Sequence, residues 1–130
     1  MSDDIRYTLT GREAQLAGIA QALEGGAICL FSEQRPARAG DVGHGRMLAS
    51  CPVSGLVISE GWLRFSMRAL GEILGQARWF QARRADGKAI LDGTCGRTEG
   101  ALILPLDIVQ PGSPITLTAA LTVPENATAS

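Results

Sequence analysis

Hydrophobic and polar positions alternate most regularly late in the chain. Across residues 114–123, PITLTAALTV, Ile115, Leu117, Ala119, Leu121 and Val123 fall on one side of a two-residue period. Thr116, Thr118, Ala120 and Thr122 fall on the other. This predicts a half-buried β-strand. The same period runs through 62–67, with Leu63, Phe65 and Met67 on the core side and Trp62, Arg64 and Ser66 opposite. Residues 27–31, AICLF, form an apolar run bounded by Gly26 and Ser32 and read as a buried strand. Further strands are predicted over 47–53, 56–58 and 101–104, and residues 106–110 lead into the Pro111-Gly112 turn. Pro52 marks an edge or a bend, because proline cannot donate to a ladder.

Turn residues punctuate these strands. The stretch 76–96, QARWFQARRADGKAILDGTCG, reads as a hairpin: Trp79 and Phe80 suit a pleated surface, and Asp86-Gly87 is the turn. Lys88 to Asp92 is the returning strand, ended by Gly93. Glu60-Gly61 and Pro111-Gly112 are two more turn signals.

One segment has a different period. Leu16, Ile19, Ala20 and Leu23 recur at helical spacing and predict a helix over 11–24, stopped by Gly25-Gly26. Thr10 and Glu13 fit a capping box at its start. An extended arm over 1–9 precedes it, with Tyr7 and Leu9 as anchors. Residues 68–75, RALGEILG, read as a loop or short helix. The expected architecture is mainly β: an antiparallel β-sandwich or jelly-roll-like domain with one N-terminal α-helix. Its organisation is an arm at 1–10, one domain at 11–123 and a polar tail at 124–130.

Composition narrows the partners. Hydrophobic residues make up 45% and the formal net charge is −1, so bulk charge favours neither nucleic acid nor an anionic membrane. No apolar run approaches the ~20 residues of a membrane span. The opening MSDDIRYTL lacks the basic-then-apolar order of a signal peptide, and the expected site of synthesis is a cytoplasm.

Candidate chemistry is sparse. Cys29, Cys51 and Cys95 are odd in number and lack CxxC spacing, so neither a disulfide framework nor a zinc knuckle is implied. His44, the lone histidine, has no metal-ligand spacing around it and leaves no scope for a triad. Asp86 and Asp92 sit at hairpin ends, and Glu60, Glu72 and Glu99 lie in predicted loops without a pairing signal. No catalytic, cofactor or metal site is expected, and the chain reads as no enzyme. Three surfaces have binding potential. The loop 33–46 carries Arg35, Arg38 and Arg46, a set suited to phosphate or an acidic surface. Trp62, Trp79 and Phe31 offer a sugar-stacking platform, with core packing as the competing use. Arg83, Arg84 and Lys88 crowd the hairpin turn as a basic tip. Asn126-Ala127-Thr128 matches a glycosylation sequon of the kind that arises by chance.

In order along nearly its whole length, the chain resembles a family of small structural proteins of tailed bacteriophages and prophages. The matching pieces are the helix REAQLAGIAQALEGG, the strand and proline loop AICLFSEQRPARAG, RMLASCPV, the hairpin ARWFQARRADGKAILDG with its DGTCG end, ALILPLDIVQPGSPITL and a final strand ending TVP. Cysteine at 29 and 51, the apolar segment at 70–74 and the Arg83-Arg84 pair depart from the family pattern. The resemblance implies a virion component without enzymatic activity, made in the host cytoplasm. Its expected place is decorating or stabilising the capsid, or the neck or collar near the portal. It implies other virion proteins and further copies of itself as partners, with no specific nucleic acid and no membrane. A carbohydrate-binding module on the virion surface is the alternative. On this reading the arm pairs with a neighbour's sheet edge, and the strand 115–123 supplies such an edge.

Overall fold

The computed structural model describes residues 5–33, 35–38, 40, 46–97, 102–104, 107–122 and 126–127. In chain order the elements are β1 (Ile5–Arg6), α1 (Leu9–Leu23), β2 (Ala27–Phe31), β3 (Met47–Pro52), β4 (Val57–Ser59), β5 (Trp62–Leu70) and β6 (Gly75–Gln76). Then come β7 (Trp79–Arg83), β8 (Ala89–Gly96), β9 (Leu102–Ile103), β10 (Ile108–Val109), β11 (Pro114–Leu121) and β12 (Asn126–Ala127). The mainly-β architecture with a single N-terminal helix is what the alternating pattern predicts.

The main sheet has eight strands in the order β3-β2-β7-β8-β9-β11-β5-β4. Its pairings are antiparallel except that of β8 with β9, which is parallel. The sheet curls until its two halves face each other. Ile28, Leu30, Leu48 and Phe80 come from one half and Phe65, Met67, Leu102 and Leu117 from the other, and they share one core. At the closing seam the Leu48 carbonyl of β3 accepts the amides of Glu72 and Ile73, just beyond β5, at 2.8 and 3.2 Å. Each fully buried Leu or Phe contributes about 1.5–3 kcal/mol relative to an exposed one, which is why the inner faces close on each other.

The helix covers part of this core with Leu16 and Leu23, both at 0% exposure. It begins two residues earlier than the capping-box pattern predicts. Thr8 is the cap, its hydroxyl accepting the Gly11 amide at 3.1 Å. Glu13 therefore does not reach back to Thr10. Its carboxylate accepts the Gly61 amide at 3.0 Å instead. Glu60 and Gly61, with φ of 53° and 80°, form the two-residue turn between β4 and β5. Both residues of such a turn need positive φ. The Glu13 bond and one from the Thr122 hydroxyl to the Gly61 carbonyl (2.8 Å) hold this turn against the helix and the end of β11. Beyond the helix, Gly26 lets β2 start hard against β7. A Cβ there would lie 1.9 Å from the Arg83 carbonyl oxygen.

Several local expectations are corrected. The segment 68–75 holds no helical turn. β5 continues through Leu70 because β11 pairs with it from Leu121↔Leu63 to Pro114↔Leu70. Tertiary pairing overrides the short helical pattern. Gly93 does not end the returning strand. It lies inside β8, opposite Phe80. The arm pairs within its own chain, β1 with β12, so Asn126–Ala127 of the expected tail belongs to a ribbon. The strand expected to offer an edge is interior: β11 lies between β5 and β9, and the sheet's edges are β3 and β4.

Replacing Glu13 by Ala removes the acceptor of a part-buried turn amide. The expected loss is about 1–2 kcal/mol, read from urea unfolding midpoints. An unchanged midpoint would show that the turn holds its shape without the helix.

Candidate interaction surface

The curled sheet has two outer faces with opposite characters. On the half built from β3, β2, β7 and β8 the outer face buries Cys29, Phe31, Trp79 and Gln81, while Ala27, Met47 and Ser50 are half-buried and Thr94 is exposed. Cys29, Phe31 and Trp79 form a second apolar cluster, alternating along the strands with residues of the main core. The rings of Phe31 and Trp79 stack, centroids 4.5 Å apart and planes 19° apart. Arg83 folds over Phe31, 5.6 Å from its ring centroid, and donates to the buried Gln81 side chain at 2.8 Å. Asp92, opposite Gln81 in the ladder, is 2% exposed and receives Arg35 Nε at 2.6 Å. The Trp79 ring nitrogen has no hydrogen-bond partner in this packing.

On the half built from β4, β5, β11 and β9 the outer face is open. Leu63, Phe65 and Met67 point inward, leaving Trp62, Arg64, Ser66, Arg68 and Leu70 outward. Trp62 is 38% exposed, Val57 57% and Leu70 62%. A groove of about 540 Å³ crosses the strands. Gly55, Ser66, Thr118 and Ala120 line it with small side chains, and Val57, Arg64 and Ile103 stand taller beside them. The Arg64 guanidinium lies 5.8 Å from the Trp62 ring centroid. Among the described residues the ion pairs are Arg35 with Asp92 and Arg84 with Asp86, so Arg64 and Arg68 have no carboxylate partner. The outward positions of β4, β5 and β11 contain no acidic residue. At the rim, β4 pairs with β5 on one side only.

The sequence candidates are distributed across these faces. The sugar-stacking set is not assembled: Trp79 (1% exposed) and Phe31 (6%) are buried together, while Trp62 belongs to the open face. The three cationic residues of the basic tip do not act together. Arg83 turns inward, and Arg84 is paired with Asp86, donating from Nε at 3.2 Å. That pairing, together with the Lys88 amide, holds the Asp86 carboxyl down at about 2, from an ordinary 3.8. Of the loop arginines, Arg35 is engaged by Asp92, and Arg38 and Arg46 are exposed. His44 and Glu99 lie outside the described residues. Asp86 and Asp92 each serve a different arginine rather than one another. Glu60 forms a turn. The acidic and sulfur side chains among the described residues form no group able to hold a metal. Burial raises the thiols of Cys29, Cys51 and Cys95, the latter two to about 12 from 9.0.

Sequence reasoning missed Arg68 as a surface residue, because the strand was expected to stop at Met67. It also missed the Arg35–Asp92 contact, which spans 57 residues and leaves no local signal. The alternation of Trp62, Arg64 and Ser66 was the one signal for the open face. No family model, curated protein or solved structure matches the chain.

Two outcomes follow from this geometry. Asp92→Asn weakens the hold on Arg35, and limited trypsin digestion is then expected to cut faster after Arg38; an unchanged rate would show that the contact does not restrain the loop. The raised thiols act at the alkaline end. Unfolded cysteines ionise near 9 while the folded ones keep their protons, so stability is intact below that pH and falls as pH rises from 9 towards about 12. Urea midpoints measured across that range should fall less steeply in Cys51→Ala than in the parent.

Proposed function

We propose that the chain is a non-enzymatic structural component of a bacteriophage virion, decorating or stabilising the capsid or seated at the neck or collar. It acts through surface contact with other virion proteins and with copies of itself. The observation that supports this reading is the open outer face of β4, β5 and β11. It joins exposed Val57, Trp62 and Leu70 to an edge strand with unpaired backbone groups. Exposed apolar side chains grouped on one face and rimmed by polar residues are the kind of patch that marks a protein contact site. The virion setting itself rests on the resemblance of the ordered sequence pieces to small phage structural proteins. Contact with protein suits this face better than sugar stacking, since Arg64 already lies over the Trp62 ring.

The test joins two measurements. Light scattering on the purified chain is expected to show an oligomer, and mass spectrometry of purified particles from a lysate producing the protein is expected to find it in stoichiometric amounts. A strict monomer that is absent from the particles would overturn the proposal.

A further inference from the structure

We infer that the open face docks an extended acidic segment of a partner polypeptide, which adds to β4 as a further strand and places carboxylates against Arg64 and Arg68. The inference rests on the reading of this face as a protein-contact surface and names the chemistry of what it contacts.

Three observations point the same way. The first is the edge itself. In the two-residue hairpin Ser59 and Trp62 flank the turn and exchange both ladder bonds. Alternate residues face outward, so the amide and carbonyl of Ile58 are directed to the open side of β4. A strand added there gains main-chain hydrogen bonds of the kind that give β-augmentation its affinity.

The second is charge. Arg64 lies directly opposite Val57 in the ladder, one strand in from the edge, and Arg68 follows on the same face. Both are exposed and neither is paired with a carboxylate. Elsewhere Arg35 has Asp92, Arg84 has Asp86, and Arg83 has Gln81 and the Phe31 ring, while Arg38, Arg46, Arg78, Lys88 and Arg97 are exposed without a carboxylate partner among the described residues; what sets this face apart is that its outward positions on β4, β5 and β11 carry no acid. A face with two unpaired guanidinium groups and no acid favours an anionic partner and disfavours a like face from a second copy.

The third is shape. The small residues Gly55, Ser66, Thr118 and Ala120 leave a groove that keeps the flank of Arg64 open to a partner's side chain. A nucleic acid is a poorer fit. Its phosphates call for a longer run of cations than the two on this face.

The experiment uses the whole chain and a fluorescein-labelled decapeptide of alternating threonine and glutamate, followed by fluorescence anisotropy at low and high salt. Binding is expected, weakening as salt rises. The double variant Arg64→Glu/Arg68→Glu should weaken it by about tenfold or more. The same variant should gain binding to the alternating threonine–lysine decapeptide. Both positions are exposed, and circular dichroism confirms that the variant is folded. A proline–glutamate decapeptide, which lacks half the amides, should bind worse than the threonine form. Equal binding of the acidic peptide by parent and variant overturns the inference, as does equal binding of the proline form. A preference for oligothymidylate over the acidic peptide also overturns it, and so does a variant that oligomerises differently while binding peptide unchanged. Absence from virions overturns only the virion reading, and failure of peptide binding overturns only this one.

Discussion

The ladder between β5 and β11 is the pairing on which the rest of the molecule depends. Eight residue pairs, from Leu121↔Leu63 to Pro114↔Leu70, fix two strands distant in sequence in one register. A slip of one residue would turn one strand's set out of the core, either Leu63, Phe65 and Met67 or Ile115 and Leu117. The register therefore sets which side of this half is inside. It also sets which side presents Arg64 and Arg68. The interior and the proposed contact surface are two readings of one alternation.

The other half of the sheet answers the same constraint differently. Its strands are apolar on both faces, so one curl cannot bury everything. Cys29, Phe31 and Trp79 form a small core of their own, capped by Arg83 and flanked by the Arg35–Asp92 pair. One half of the protein thus buries apolar side chains on both sides and the other on one side. The half left open is the one we propose as a contact surface, where exposed apolar and cationic side chains lie beside an edge strand.

Much of this was legible in the sequence. Period-two alternation placed β5 and β11 and identified their core residues, and the helical spacing of Leu16, Ile19 and Leu23 placed α1. The turn residues of Glu60-Gly61 and Asp86-Gly87 placed both hairpins. What the sequence hid was everything decided by distant partners. The helix cap moved to Thr8, and Glu13 was drawn to the Gly61 amide. Leu70 joined a strand because Pro114 pairs with it, and the 114–121 strand became interior because β9 lies beside it. Of the surface site, Trp62 and Arg64 could be read from alternation. The lack of any neighbouring acid, and the open edge at β4, required the order of the strands.

The long reach of the β5–β11 ladder also has a consequence in time. On the ribosome, the β4–β5 hairpin emerges some fifty residues before its partner strand. Until β11 arrives, Leu63, Phe65 and Met67 have only one neighbouring strand and no opposing ladder. Such non-local pairing makes folding slow relative to helical proteins of this size. It also leaves an apolar strand waiting with an unpaired side, the kind of intermediate that associates with others of its kind. The Glu13–Gly61 bond joins the hairpin to α1, which is made earlier. That contact can hold the waiting hairpin against the helix and shield its apolar side until the chain reaches Leu121.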